Sequence, residues 1–210
     1  KIPDKRHLEH YTEVQVSQKA WDENYSLVML DASKETLEEN SKRVKKVVDY
    51  ARPRGVFVEG EIGMIKGRTE ERNYTEDDFL VRVEDAVELA EKSGLDILAV
   101  GIGTAHGFYQ GKPEINFKRL AEVNEALELP LVMHGGTGIP EEDVRRAIRN
   151  GINKVNVGTI IKYTYLSTVK EVLDREGPTI YTTELMKPAV NAVKEEVKRW
   201  IRTCMADGKA

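Results

Sequence analysis

The feature that most constrains this chain is the segment Pro130-Leu131-Val132-Met133-His134-Gly135-Gly136-Thr137-Gly138-Ile139-Pro140. Its opening run carries no polar side chain, the pattern of a strand buried on both faces. A histidine stands where that strand must end, and a glycine-rich turn follows. Pro140-Glu141-Glu142-Asp143 then opens a segment with Val144, Ala147 and Ile148 at helical spacing. Its acidic first turn suits the positive end of a helix dipole. The turn sets a histidine beside glycines whose backbone N–H groups can approach an anion. A tight turn with an incidental core histidine has the same local pattern, so the rest of the chain must decide between them.

The same unit recurs. Ser26-Leu27-Val28-Met29-Leu30-Asp31, Gly55-Val56-Phe57-Val58-Glu59-Gly60-Glu61, Asp96-Ile97-Leu98-Ala99-Val100-Gly101-Ile102 and Asn153-Lys154-Val155-Asn156-Val157 all read as strands. A sixth, weaker one falls over Lys5, Arg6, His7 and Leu8. The periodicity predicts helices over 33–51, 83–93, 117–126, 160–175 and 185–201, and a short one over 12–21. Residues 63–82 are too polar and too long for an ordinary connection, which predicts a functional loop. This alternation predicts an α/β fold with a parallel sheet. The expected architecture is a (β/α)₈ TIM-type barrel. A complete barrel takes about 250 residues. Residues 1–210 are therefore read as a single partial domain carrying the last five or six βα units. The chain opens on Lys1, close to a functional strand, and the expectation is that it is truncated at the amino end.

Composition narrows the classes. A net charge of −4 argues against nucleic acid or an anionic membrane as partner. There is no apolar run of about 18 residues and no signal peptide. The one cysteine, Cys204, excludes an internal disulfide and fits a reducing, cytoplasmic setting.

The polar residues fall into place on this frame. His10, Asp31, Glu61, His106 and His134 each sit at or just past the carboxyl end of a strand. In a parallel barrel those ends share the face that carries the active site. Three of the four histidines in the chain are among them. Three imidazoles with one open position suit a catalytic zinc, which can polarise a carbonyl. Asp31 and Glu61 are hard ligands for a second divalent ion, supports for the histidines, or simple helix caps. Gly135-Gly136-Thr137 and Asn156-Val157-Gly158-Thr159 follow the last two strands, where barrels often hold a phosphate. Gly107 and Lys112 could add to that site.

Four runs carry a resemblance: Val58-Glu59-Gly60-Glu61-Ile62-Gly63, Ala99-Val100-Gly101-Ile102-Gly103-Thr104-Ala105-His106-Gly107-Phe108-Tyr109, the segment from Pro130 to Pro140, and Lys154-Val155-Asn156-Val157-Gly158-Thr159. Together they closely resemble the class II, zinc-dependent ketose-bisphosphate aldolases, the fructose-1,6-bisphosphate and tagatose-1,6-bisphosphate enzymes. With residues 7–33 and the tail from Ala189, the likeness covers nearly the whole chain, and it implies that the first two βα units of the barrel are missing. His106 and His134 fall on two of that family's zinc histidines. His10 falls on the third, in a motif that normally reads His-x-Asp-His. Asp31 and Glu61 fall on an alternative metal position. Gly107, Gly135, Gly136, Thr137, Asn156, Val157, Gly158 and Thr159 fall on the segments that hold the phosphate of dihydroxyacetone phosphate.

The resemblance implies one catalytic Zn²⁺, a second divalent position and room for a monovalent cation. It implies a phosphorylated sugar substrate and a homo-oligomer, dimer or tetramer. The implied reaction is reversible aldol cleavage of a ketose 1,6-bisphosphate to dihydroxyacetone phosphate and glyceraldehyde 3-phosphate. A carboxylate beside the third histidine, here Glu9, would move the hydroxyl proton. Three positions depart from the pattern. The motif's aspartate is Glu9, the glycine after the motif is Tyr11, and a proton-handling glutamate of the following loop is Thr69, with Glu70 and Glu71 adjacent. These departures define an alternative, a catalytically impaired aldolase-like binding or assembly subunit that keeps both sites. A metal-dependent hydrolase on the same barrel is a third reading. The paired phosphate loops weigh against it, since hydrolases need an activated water more than a phosphate anchor.

Overall fold

In a computed structural model of the chain, residues 6–15, 23, 25–65 and 79–209 are described. Six strands, β1 (His7–Tyr11), β2 (Leu27–Leu30), β3 (Phe57–Ile62), β4 (Ile97–Val100), β5 (Leu131–Met133) and β6 (Ile152–Val155), form one sheet. Its spatial order is the chain order, and each neighbouring pair is parallel. The helices between strands are α1 (Leu37–Ala51), α2 (Val83–Ser93), α3 (Phe117–Ala126) and α4 (Glu141–Arg149). Two more, α5 (Thr159–Glu176) and α6 (Thr182–Thr203), close the chain and pack on each other. This is a run of six consecutive units of a parallel α/β barrel, as the alternation predicts. No helix among the described residues is long and apolar enough to cross a membrane.

Alternation along the strands sorts side chains onto two faces. Val28, Leu30, Val58, Ile62, Leu98, Val100, Leu131 and Met133 point to the helices. They form the apolar core with Val44, Val47 and Val48 of α1, Leu89 of α2, Leu120 and Val123 of α3, and Val144 of α4. Residues one position out of phase face the concave side. Met29, Glu59, Glu61, Ala99 and Val132 are buried there, followed by His134 just past β5. Barrel interiors are usually filled by branched apolar layers. Here the floor is charged, and the site is built on it.

Helix boundaries follow local chemistry. The helix expected from residue 33 begins at Leu37, because Thr36 caps it by accepting from the Glu39 N–H at 3.3 Å. The strand expected over residues 5–8 lies at His7–Tyr11. Its inward residues, His7 and Glu9, are polar and meet each other, Glu59 of β3 and Lys154 of β6. The helix expected over 12–21 lies mostly outside the described residues, as do Thr69, Glu70 and Glu71. The long loop returns at Phe79 and Val81, both buried, and Leu80 bridges to Ile102.

Candidate metal and anion site

Three strand ends bring three imidazoles together. The His10 ring lies 4.8 Å from that of His106 and 4.6 Å from that of His134, centroid to centroid. One nitrogen from each falls within 4.8 Å of the others. His10, near the end of β1, has a left-handed backbone conformation, φ 54°, where the β1–β2 register shifts between Leu8 and Tyr11. That turn is uncommon for a residue with a Cβ, and it sets the ring against His134, with His10 Nε2 2.9 Å from His134 Nδ1. His106 hangs from the loop after β4. Burial, with His10 and His134 nearby, lowers its pKa to about 4. It is therefore neutral at pH 7, the state a metal ligand requires.

Carboxylates stand behind two of these rings. Glu59 Oε1 lies 3.0 Å from His134 Nε2, and both side chains are fully buried. A carboxylate accepting from one ring N–H fixes the tautomer and leaves the other nitrogen's lone pair for a metal. Asp31 Oδ2 lies 3.6 Å from His10 Nδ1, while Asp31 Oδ1 accepts from the Ser33 hydroxyl at 2.7 Å and from the Ser33 N–H at 3.1 Å. Burial alone would raise Asp31, but His10 and Ser33 outweigh it and hold the carboxyl at about 2.

His10, Asp31 and Glu61 make a second set of converging ligand atoms. Glu61 Oε2 is buried without a hydrogen-bond partner and lies 4.0 Å from His134 Nδ1. Burial, reinforced by the charges of Asp31 and Glu59, pushes Glu61 well above the ordinary carboxylate range. An acceptor orphaned this way, next to imidazoles, fits a site built to receive a cation.

The pKa of Glu61 has a consequence for stability. The folded metal-free protein keeps a proton on Glu61 at pH values where the unfolded chain, at 4.5, has released it. The residue therefore costs stability above that pH, and the cost grows as pH rises toward the folded value. Glu61→Gln is expected to stabilise the metal-free protein by about 1–2 kcal/mol at pH 7. The gain should fade as pH falls through 4.5. Melting curves at pH 7 and pH 4 check it, and an unchanged or lower melting temperature at pH 7 would contradict it.

Beside the histidines opens a cleft of about 520 Å³. Glu9, His10, His106 and Gly107 line one end. Gly135, Gly136, Thr137, Asn156, Val157, Gly158 and Thr159 line the rest. The first turn of α5 opens onto this cleft, and its cap, Gly158, has no side chain to occupy the N–H groups there. Such a terminus favours an anion. The glycine turn contributes less than its sequence suggests. The Gly136 N–H already donates to the Asn156 carbonyl at 3.1 Å, and Thr137 Oγ1 accepts from the Ile160 N–H at 3.1 Å. Lys112 is exposed and does not line the cleft. Lys162, in the first turn of α5, does.

Residues that motif reading left aside complete the arrangement. Tyr109 ties two loops together, its hydroxyl accepting from the Ala105 N–H at 2.9 Å and donating to the Gly135 carbonyl at 3.1 Å. On the floor, Lys154 Nζ donates to Glu9 Oε1 at 2.8 Å and to Glu59 Oε2 at 2.9 Å, and Asn156 Nδ2 donates to Glu9 Oε2 at 2.6 Å. The available signal was parity. Glu59 and Glu61, like Lys154 and Asn156, are two residues apart and so share a face.

The family model "Fructose-bisphosphate aldolase class-II" matches residues 1–209. The chain belongs to the class II fructose-bisphosphate aldolase family. Among relatives of this aldolase-family chain, a fructose-bisphosphate aldolase of Staphylococcus epidermidis is 39% identical over 201 residues. These make up 96% of this chain and 70% of the relative. A fructose-bisphosphate aldolase of Staphylococcus aureus is 38% identical over the same span. The crystal structure of the YdjI aldolase from Escherichia coli K12 superposes with a TM-score of 0.83 at 33% identity, over 98% of this chain and 71% of that one. Fructose-bisphosphate aldolase from Campylobacter jejuni, at 18% identity and a TM-score of 0.77, shares the fold. The six strands are thus part of a TIM-type barrel of the aldolase kind.

Proposed function

We propose that this chain is a class II aldolase that cleaves a ketose 1,6-bisphosphate reversibly to dihydroxyacetone phosphate and glyceraldehyde 3-phosphate, working in the cytoplasm as a homo-oligomer. The observation that carries this reading is the convergence of His10, His106 and His134, the first two lining a cleft that Gly158, Thr159 and Lys162 at the start of α5 also line. The three imidazoles would hold zinc, which when bound supplies a Lewis acid for the ketone carbonyl. Glu59 and Asp31 orient His134 and His10. The first turn of α5, Lys162 and the side chains of the two loops would bind the phosphate and fix the reacting carbons against the metal face. Glu9 is the carboxylate that would take the hydroxyl proton at the bond being broken.

One observation favours the alternative of a catalytically impaired subunit that keeps both sites. The Glu9 carboxylate is turned into the floor, where Lys154, Asn156 and His7 surround it. Burial would raise its pKa, but His7 and Lys154 outweigh that and hold the carboxyl far below its usual range. A carboxylate so held is a weak base.

Two assays test the proposal. Elemental analysis of the purified protein is expected to give close to one tightly held zinc per chain, and fructose 1,6-bisphosphate is expected to release dihydroxyacetone phosphate in a coupled assay. Glu9→Asp, which withdraws the carboxylate by one methylene, is expected to change kcat by about tenfold or more, given the sensitivity of proton transfer to placement. Retained zinc with no cleavage by either protein would leave the binding-subunit reading. No zinc, and none taken up on addition, would sink both.

A further inference from the structure

The floor of the sheet holds a third set of metal-ligand atoms, and a cation already sits among them. His7, Glu9 and Glu59 offer one imidazole nitrogen and two carboxylate oxygens, all within 4.8 Å of one another. Two oxygens do the work, Glu9 Oε1 and Glu59 Oε2. The His7 ring spans them, with Nδ1 2.5 Å from the first and Nε2 3.8 Å from the second. Lys154 Nζ grips the same two atoms, at 2.8 and 2.9 Å. The remaining oxygens are committed elsewhere, Glu9 Oε2 to Asn156 and Glu59 Oε1 to His134. Both His7 nitrogens are buried from solvent, and neither makes a hydrogen bond of good geometry despite the short approach to Glu9. An imidazole and two carboxylates are a donor set that divalent zinc accepts. An ammonium is a compact point charge able to sit where an ion would.

We infer that Lys154 is the resident cation of a latent metal triad, His7, Glu9 and Glu59, and that it keeps divalent metal off the floor and confined to the histidine face above. The chemistry follows from the shared oxygens. A metal ion on the floor would draw on Glu59, the carboxylate that orients His134, and on Glu9. With Lys154 in place the two carboxylates are bridged by a charge that cannot exchange with solvent. Lys154 is thus a positioning residue acting through Glu9 and Glu59. Removing its ammonium leaves two nearby carboxylates, one of them fully buried, without a counter-charge. Such an arrangement either captures a cation or destabilises the fold.

The test is zinc stoichiometry and affinity, by elemental analysis after dialysis and by titration calorimetry with Zn²⁺, on the parent, Lys154→Met, Lys154→Arg and the double variant Lys154→Met/His7→Asn. Lys154→Met is expected to hold one more zinc per chain than the parent. Lys154→Arg, which keeps the charge, is expected to match the parent. The double variant is expected to lose the added ion. A folded Lys154→Met with parent stoichiometry overturns the inference, as does an added zinc that survives in the double variant. Should Lys154→Met not fold without metal, recovery of the parent helical signal with Zn²⁺ but not Mg²⁺ supports the inference, and recovery with neither overturns it. A parent that holds no zinc speaks against the aldolase reading alone, because this inference is read from the difference between variant and parent.

Discussion

His134→Ala is expected to abolish the zinc binding proposed above and to lower the stability of the metal-free form by about 1–3 kcal/mol, the range for leaving a buried acceptor unsatisfied. The two losses have separate causes. His134 Nδ1 lies 2.9 Å from His10 Nε2 and would be a zinc ligand on the proposed reading, so the affinity for zinc should fall by more than about 100-fold, beyond what loss of an orienting partner costs. Its other nitrogen is the partner of Glu59 Oε1, and truncation leaves that fully buried carboxylate facing a void. His106→Ala separates the effects. That residue is less enclosed than His134, and no carboxylate among the described residues is hydrogen-bonded to it, so the variant should lose zinc to a similar degree with little change in stability. Denaturant titrations of the chelated proteins, read beside zinc content, check both. Equal stabilities for the two alanine variants would contradict the assignment of Glu59 as the carboxylate that holds His134.

The second large effect is expected at Gly135. Its backbone is left-handed, φ +72°, and a Cβ there would stand 2.2 Å from the Ala105 carbonyl oxygen. The obstacle is backbone, so no side chain can swing away. Gly135→Ala is therefore expected to cost about 3 kcal/mol or more, from left-handed strain plus the displacement of a neighbouring strand end. For a chain of this size that lowers the melting temperature by roughly 6–12 °C. The displaced segment is the one that carries His106, and it is the segment Tyr109 fastens to Gly135. The variant should accordingly bind zinc more weakly even below its melting transition. A melting temperature within a degree or two of the parent would show that the two loops are not packed as described.

Much of this was legible in the sequence for a definite reason. Strands buried on both faces write themselves as unbroken apolar runs, so β2, β4 and β5 could be read, and the helices Val83–Ser93 and Phe117–Ala126 fall where their periodicity puts them. Placing His10, Asp31, Glu61, His106 and His134 at strand ends was enough to bring them together, since parallel strands share one exit face. The floor was not legible. Glu9 makes β1 look unfit for an interior because its partner Lys154 lies 145 residues away. No local window contains that pairing. The anion loop was half legible. Its glycines were visible, but whether an N–H is free depends on a carbonyl in the next loop, and Asn156 takes the one at Gly136. The choice between Lys112 and Lys162 turned on loop paths that composition does not encode.

Because strands pair in the order in which they occur, the sheet can grow along the chain by adding each βα unit to the one before, with modest loop closure at each step. The ties that bind the two ends do not belong to that growth. His10 to His134 spans 124 residues, Lys154 to Glu9 spans 145 and Asn156 to Glu9 spans 147. The last two can form only when β6 is in place. The polar floor is thus a late event of folding, a clasp fastened after the ribbon has curled.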